Sequence, residues 1–243
     1  MEKERLYYLR VSLLVYLVWI VVFEAVGSYA ATLPTTDLTL PVDRQIPLIS
    51  WFIWPYLLCY LFPFLPLFVV KDWHRFNRAL LAIILANAAA FLVYILLPVA
   101  FPHPELGSGL SDHVLALQFR YDFRPGANKL PSLHVTYAWI VYLVCRKQGL
   151  GRVREGLILL AAALISVSTL FVKQHIILDV FAGAAWAFAA WLAAGRLYPR
   201  LAPAGMSPAE ALKRLVGRAA LPLLLYSAIL IFLADLHYRR LLP

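Results

Sequence analysis

Apolar residues in this chain come in long unbroken runs set off by short charged breaks, not in the three-to-four spacing of a half-buried soluble helix. The runs fall at about 11–32, 48–70, 79–101, 132–145, 156–173, 175–195 and 219–236. A helix needs about 20 such residues to cross the hydrocarbon of a bilayer, and all but the fourth approach or exceed that. The fourth is short and is expected to continue a turn beyond its apolar part. The pattern predicts an all-α, polytopic membrane helical bundle, with six core helices and a seventh at the C-terminus. Pro55, Pro63 and Pro66 should kink the second span. Trp51, Trp54 and Tyr56 fit the aromatic belt at a membrane interface.

Composition agrees. Of 243 residues, 63% are apolar and 14% charged, against roughly 45–50% and 25% in a soluble domain. No run has the charged flank, short apolar stretch and small-residue cleavage site of a signal peptide, so the first is expected to be retained. Cys59 and Cys145 both lie in apolar runs and suggest neither a disulfide framework nor a metal cluster. The net charge of +9 could suggest nucleic acid, but its placement reads as topology. Lys3, Arg5, Arg10, Lys71, Arg75, Arg78, Arg146, Lys147, Arg152, Arg154, Arg196, Arg200, Lys213, Arg214 and Arg218 fall on one side. Arg44, Arg120, Arg124, Lys129, Lys173, Arg239 and Arg240 fall on the other. The positive-inside bias puts the N-terminus in the cytoplasm. Residues 1–198 read as a six-helix catalytic core, and 199–243 as a cytoplasmic connection rich in Pro and Ala followed by the seventh helix. The stretch from Pro102 to Pro131 reads as a long outer loop, a length that in compact proteins points to function.

The candidate chemistry gathers at the outer ends of the spans. His134 opens the fourth span in Leu130-Pro131-Ser132-Leu133-His134, His175 and Asp179 open the sixth, and His103 ends the third. Four residues separate His175 from Asp179, so both share a helix face. There the carboxylate can take a hydrogen bond from one imidazole nitrogen and leave the other exposed as nucleophile or base. Gly183, a further turn along that face, allows another helix to pack closely. Ser132 is an N-cap candidate, and the helix start behind it is a natural anion site. Arg120, Arg124, Lys129 and Lys173 lie on the side the positive-inside rule disfavours, which points to a bound anion, phosphate foremost. Glu24, inside the first span, is an ionisable residue that needs a partner or a purpose. Asn87 reads as an interhelical hydrogen bond.

On these residues the chain resembles the type 2 phosphatidic acid phosphatase superfamily. Pro131-Ser132-Leu133-His134 resembles its Pro-Ser-Gly-His motif, and Ser168-Thr169-x5-His175-x3-Asp179 its Ser-Arg-x5-His-x3-Asp motif. Thr169 stands where the family has Arg, Leu133 where it has Gly, and no Lys-x6-Arg-Pro occurs on the outer side. Lys71-x6-Arg78 is followed by Ala79 and falls in the cytoplasm. The form is most similar to the branch of inositol phosphorylceramide synthases and related bacterial proteins. The resemblance implies a phosphohistidine mechanism at the outer face of a membrane, of a bacterial inner membrane if the bacterial relatives are the guide. His175 would be the nucleophile, Asp179 its orienting carboxylate and His134 the general acid and base. Ser132, Lys173, Lys129 and Arg124 would bind phosphate, with His103, Arg120 and Glu24 as secondary candidates. No cofactor or metal is called for. The partner is a membrane lipid, with a lipid or other alcohol as acceptor if the phosphoenzyme is not resolved by water.

Two other classes compete. Histidines on separate helices at one level can ligate haem, but that leaves Asp179 and the basic outer segment unexplained. A proton-coupled transporter would use Glu24, yet no paired broken helices of the transporter kind occur.

Overall fold

The computed structural model describes residues 2–122 and 126–218, together with 225, 226, 228, 229 and 232. Its helices are α1 (Glu2–Ala30), α2 (Pro41–Gln45), α3 (Ile53–Leu61), α4 (Pro66–Val69), α5 (Trp73–Leu96), α6 (Leu110–Tyr121), α7 (Leu133–Cys145), α8 (Arg152–Phe171), α9 (Ile177–Leu201) and α10 over 208–218. The described residues contain no strand. Helices α1, α5, α8 and α9 are long and apolar enough to cross a membrane, and Ser50–Phe64 and Leu133–Cys145 are shorter apolar helices. All six expected core spans are therefore helical. The expected seventh, over 219–236, lies for the most part outside the described residues; within it, the Tyr226 hydroxyl donates to the carbonyl of Ala88 in α5.

The differences from the expected spans have local causes. Helix α5 starts at Trp73 because the Asp72 carboxylate accepts from the His74 amide at 2.9 Å and caps it. Its polar first turns therefore precede the stretch that hydropathy marks. The second span is broken at Phe62–Phe64, a 3₁₀ turn, where Pro63 within it and Pro66 at the start of α4 withhold backbone donors. The outer segment before Pro131 is not a loop throughout, since α6 occupies 12 residues of it. The Ser50 hydroxyl donates to Asp112, and Trp54 donates to Ser111 at 3.1 Å, fixing α6 across the start of the second span.

Helix α7 is the axis of the bundle, packed on α5, α8, α9 and the α3–α4 segment. It does not gain the expected extra turn. Thirteen residues give about 20 Å at 1.5 Å per residue, against roughly 30 Å of hydrocarbon. Its C-terminal end is held by Arg75, which donates to the carbonyls of Val144 at 2.8 Å and Leu143 at 2.7 Å. With that end fixed at the start of α5, His134 sits one residue into the opposite end of the helix. Helix α1 packs on α5 at the rim and leaves Leu14, Leu17 and Val21 exposed for lipid.

Candidate active site

Two helix starts meet at the N-terminal end of α7. The Ser132 hydroxyl accepts from the Val135 amide at 3.4 Å and caps α7, while the Ser132 amide donates to the Asp179 carbonyl at 3.2 Å. A Cβ on Gly183 would stand 2.5 Å from the Ser132 carbonyl oxygen. Only glycine lets α9 approach α7 this closely, in keeping with its place one turn after Asp179.

The turn between α8 and α9 sets His175. Lys173 takes the left-handed conformation, φ 56°, and the amides of Gln174 and His175 both donate to the Thr169 carbonyl, at 3.0 and 3.1 Å. The turn is held from outside by α2. The Asp43 carboxylate accepts from the Ile177 amide at 2.8 Å, capping α9, and the Lys173 ammonium donates to the carbonyls of Asp43 and Ile46.

His175 is 5% exposed and Asp179 fully buried. One oxygen of Asp179 accepts from His175 Nδ1 at 3.2 Å and from the Ile176 amide at 3.1 Å. His175 Nε2 lies 3.2 Å from His134 Nδ1, and His134 Nε2 lies 3.0 Å from the Tyr56 hydroxyl. The proton positions follow from one end. An ionised Asp179 accepts from His175 Nδ1–H; a neutral His175 then has its lone pair on Nε2, where it takes the Nδ1–H of His134. The result is a directed chain from His134 through His175 to Asp179, anchored by Tyr56.

A second cluster adjoins it through Gln174. Asp122 Oδ2 lies 3.2 Å from the Lys129 ammonium, 2.8 Å from Gln174 Nε2 and 3.1 Å from His103 Nε2. Lys129 also donates to Gln174 Oε1 at 3.2 Å and is 3% exposed. Burial pushes the Asp122 carboxyl up, but Lys129, His103 and Gln174 together outweigh it and hold the group well below the usual carboxylate range.

The family model of the PAP2 superfamily matches residues 34–193. The chain belongs to the PAP2 superfamily. Comparison with curated proteins and with solved structures gives no match. Membership supports a membrane enzyme of the phosphatase type that acts on lipid phosphates.

Within this PAP2 protein, His134, His175 and Asp179 stand together, and Lys129 and His103 gather on Asp122 beside them, linked through Gln174. Ser132 is fully buried, with its hydroxyl used as a cap. Lys173, expected at the phosphate, has its ammonium on main-chain carbonyls of the α2 segment. Burial pushes that ammonium below the usual lysine range. Arg120 is exposed, and Arg124 lies outside the described residues. Glu24 lines a cavity that reaches His134. Thr169, at the position of the PAP2 arginine, is fully buried and donates to the Ser166 carbonyl at 2.8 Å.

Three residues of the site carry no clear signal in the sequence. Tyr56 has the placing of an interfacial aromatic but is fully buried against His134. Asp122 resembles a balancing loop charge, and Asp43 stands in no motif. Gln174 is visible only as the neighbour of His175.

Proposed function

We propose that this protein is an integral membrane lipid phosphatase that removes phosphate from a lipid phosphate or diphosphate through a phosphohistidine. The observation that carries the reading is the hydrogen-bond chain His134–His175–Asp179, in which His175 keeps a lone pair on Nε2 and a carboxylate behind its Nδ1–H.

The phosphoryl group takes the place of the His134–His175 hydrogen bond. His175 Nε2 forms a bond to phosphorus as the bond to the lipid oxygen breaks, and Asp179 stabilises the ring as it gains positive charge. His134, which takes up a second proton when the anionic phosphate binds beside it, gives its Nδ1 proton to the departing oxygen. It is left with a proton on Nε2, which donates to the Tyr56 oxygen, and a lone pair on Nδ1. That lone pair takes a proton from water, whose oxygen attacks phosphorus and breaks the P–N bond. A hydroxyl both donates and accepts, so Tyr56 holds the ring in each state. Lys129 and the first amides of α7, which lack partners within the helix, supply countercharge to the phosphoryl oxygens. In this reading the N-terminus is cytoplasmic, the site faces the exoplasmic or periplasmic side, and no metal is required.

A second reading is transfer to an alcohol on another lipid, as in the inositol phosphorylceramide synthase branch. It is favoured by the largely apolar wall of the cavity at His134, which shields a phosphoenzyme from water.

The test is turnover of phosphate-labelled lipids by purified protein in detergent with chelator, after acid-labile label on the protein has been trapped. Wild type should show both label and product, and His175→Ala and Asp179→Asn should show neither while remaining folded. Wild-type rates from His175→Ala would remove the nucleophile. Free phosphate as product supports hydrolysis; label in a new lipid only when an acceptor is added supports transfer.

A further inference from the structure

The cavity that ends on His134 has an unexpected charge for an enzyme of phosphates. It holds about 350 Å³ and is bounded by α1, the α3–α4 segment, α5, the end of α6 and α7, a size proper to a ligand site. Its lining follows α7 from His134 to Val144, about 15 Å at 1.5 Å per residue. The inner part is apolar and aromatic and suits a hydrocarbon chain. Polar groups among its lining include Glu24, Gln118, Asp122 and Asn128. Among the described residues that line it there are two carboxylates and neither Lys nor Arg.

The two carboxylates differ. Asp122 is already matched by Lys129. Glu24 is exposed and has no hydrogen bond or ion pair among the described residues. It sits on a membrane-crossing helix, where an unmatched ionised group is costly, and on the part of the chain that precedes residues 34–193, the stretch matched to the family. A second phosphate beside Glu24 would be repelled. A cation would be held twice over, because Trp19 and Phe23 line the same cavity with their rings stacked at 5.0 Å and aromatic faces attract ammonium groups. The indole of Trp19 is fixed by donation to Asn87 at 3.0 Å.

We infer that Glu24 and the aromatic wall beside it form a subsite for an ammonium group carried by the lipid substrate within a few bonds of its phosphate. The inference rests on the reading of His175 as nucleophile. The ligand's own positive charge supplies what the cavity lacks, and the phosphate is drawn to Lys129 and the start of α7 while the amine stays at Glu24. The amine can belong to the lipid's backbone, as in an amino-alcohol lipid phosphate, or to its head group, as in an aminoalkyl phosphodiester.

The test compares kcat/KM for two matched pairs in detergent with chelator: an amino-alcohol lipid phosphate against its N-acyl form, and an aminoalkyl phosphodiester lipid against its N-acetyl form. Wild type, Glu24→Gln and His175→Ala are run together; Glu24→Gln conserves volume at an exposed position, so folding is retained. Wild type should favour the free amine by about tenfold in at least one pair, the low end for a charge-assisted hydrogen bond in a partly open site. The pair that shows it identifies the source of the amine. Glu24→Gln should bring that ratio close to one. A wild-type ratio near one in both pairs overturns the inference, and so does a ratio that survives Glu24→Gln. If product forms only with His175 present but shows no amine preference, the phosphohistidine reading stands and the Glu24 subsite falls. Undiminished turnover by His175→Ala sinks the phosphohistidine reading itself.

Discussion

Replacing Tyr56 by Phe isolates one atom of the site. The Tyr56 ring is fully buried, and its contacts with the rings of His134 and Tyr60, at centroid distances of 5.0 and 6.3 Å, survive the change. No cavity of consequence opens, so packing is nearly conserved. What goes is the 3.0 Å hydrogen bond to His134 Nε2, which leaves a half-buried imidazole nitrogen without a partner. That loss is worth about 1–3 kcal/mol. If the bond is stronger by that much in the transition state than in the bound ground state, kcat falls roughly 5- to 150-fold, at about 1.4 kcal/mol per decade. The lipid does not touch Tyr56 in this scheme, so KM should stay within about twofold. The assay is phosphate release from a labelled lipid in detergent, with kcat and KM resolved and the melting temperature measured alongside. Unchanged kcat in a folded Tyr56→Phe protein would show that the hydroxyl does not hold His134 during turnover.

Three other perturbations probe the surroundings. Lys129→Met removes the main charge opposing the effect of burial on Asp122, so the variant should be less stable at pH 7 by about 3 kcal/mol. The pH dependence should then change sign. In wild type the depressed Asp122 contributes stability that is lost only as pH falls below about 4, the ordinary carboxylate value; in the variant, melting temperature should instead rise as pH drops from 7 towards 5, and a flat profile would refute this. Gly183→Ala should cost about 1–3 kcal/mol through overpacking and lower kcat as well, because the shift falls on Ser132, two residues from His134; a neutral result would mean that α7 and α9 can part without harm. Lys173→Met should reduce the yield of folded protein with little change in KM, since its ammonium straps α2 to the α8–α9 turn; a large rise in KM with normal yield would return Lys173 to the phosphate.

Much of this protein is legible in its amino-acid sequence. Hydropathy runs mark the six core helices because a bilayer requires about 20 apolar residues and satisfied backbone in each crossing, constraints written directly into composition. His175 and Asp179 are legible because i,i+4 spacing puts two side chains on one face wherever the helix lies. His134 is legible because Pro and Ser mark a helix start. What sequence does not decide is the relation between groups far apart in the chain. Tyr56 meets His134 only because α7 is short, tied at its C-terminal end by Arg75 and wedged beside a proline-broken second span. Lys173 and Lys129 carry the same charge on the same side, yet one binds main-chain carbonyls and the other faces Asp122 and Gln174. Charge and spacing are local properties of a chain, whereas the partner of a charge is set by which helices pack together, and packing is decided by shape at contacts such as the one Gly183 allows.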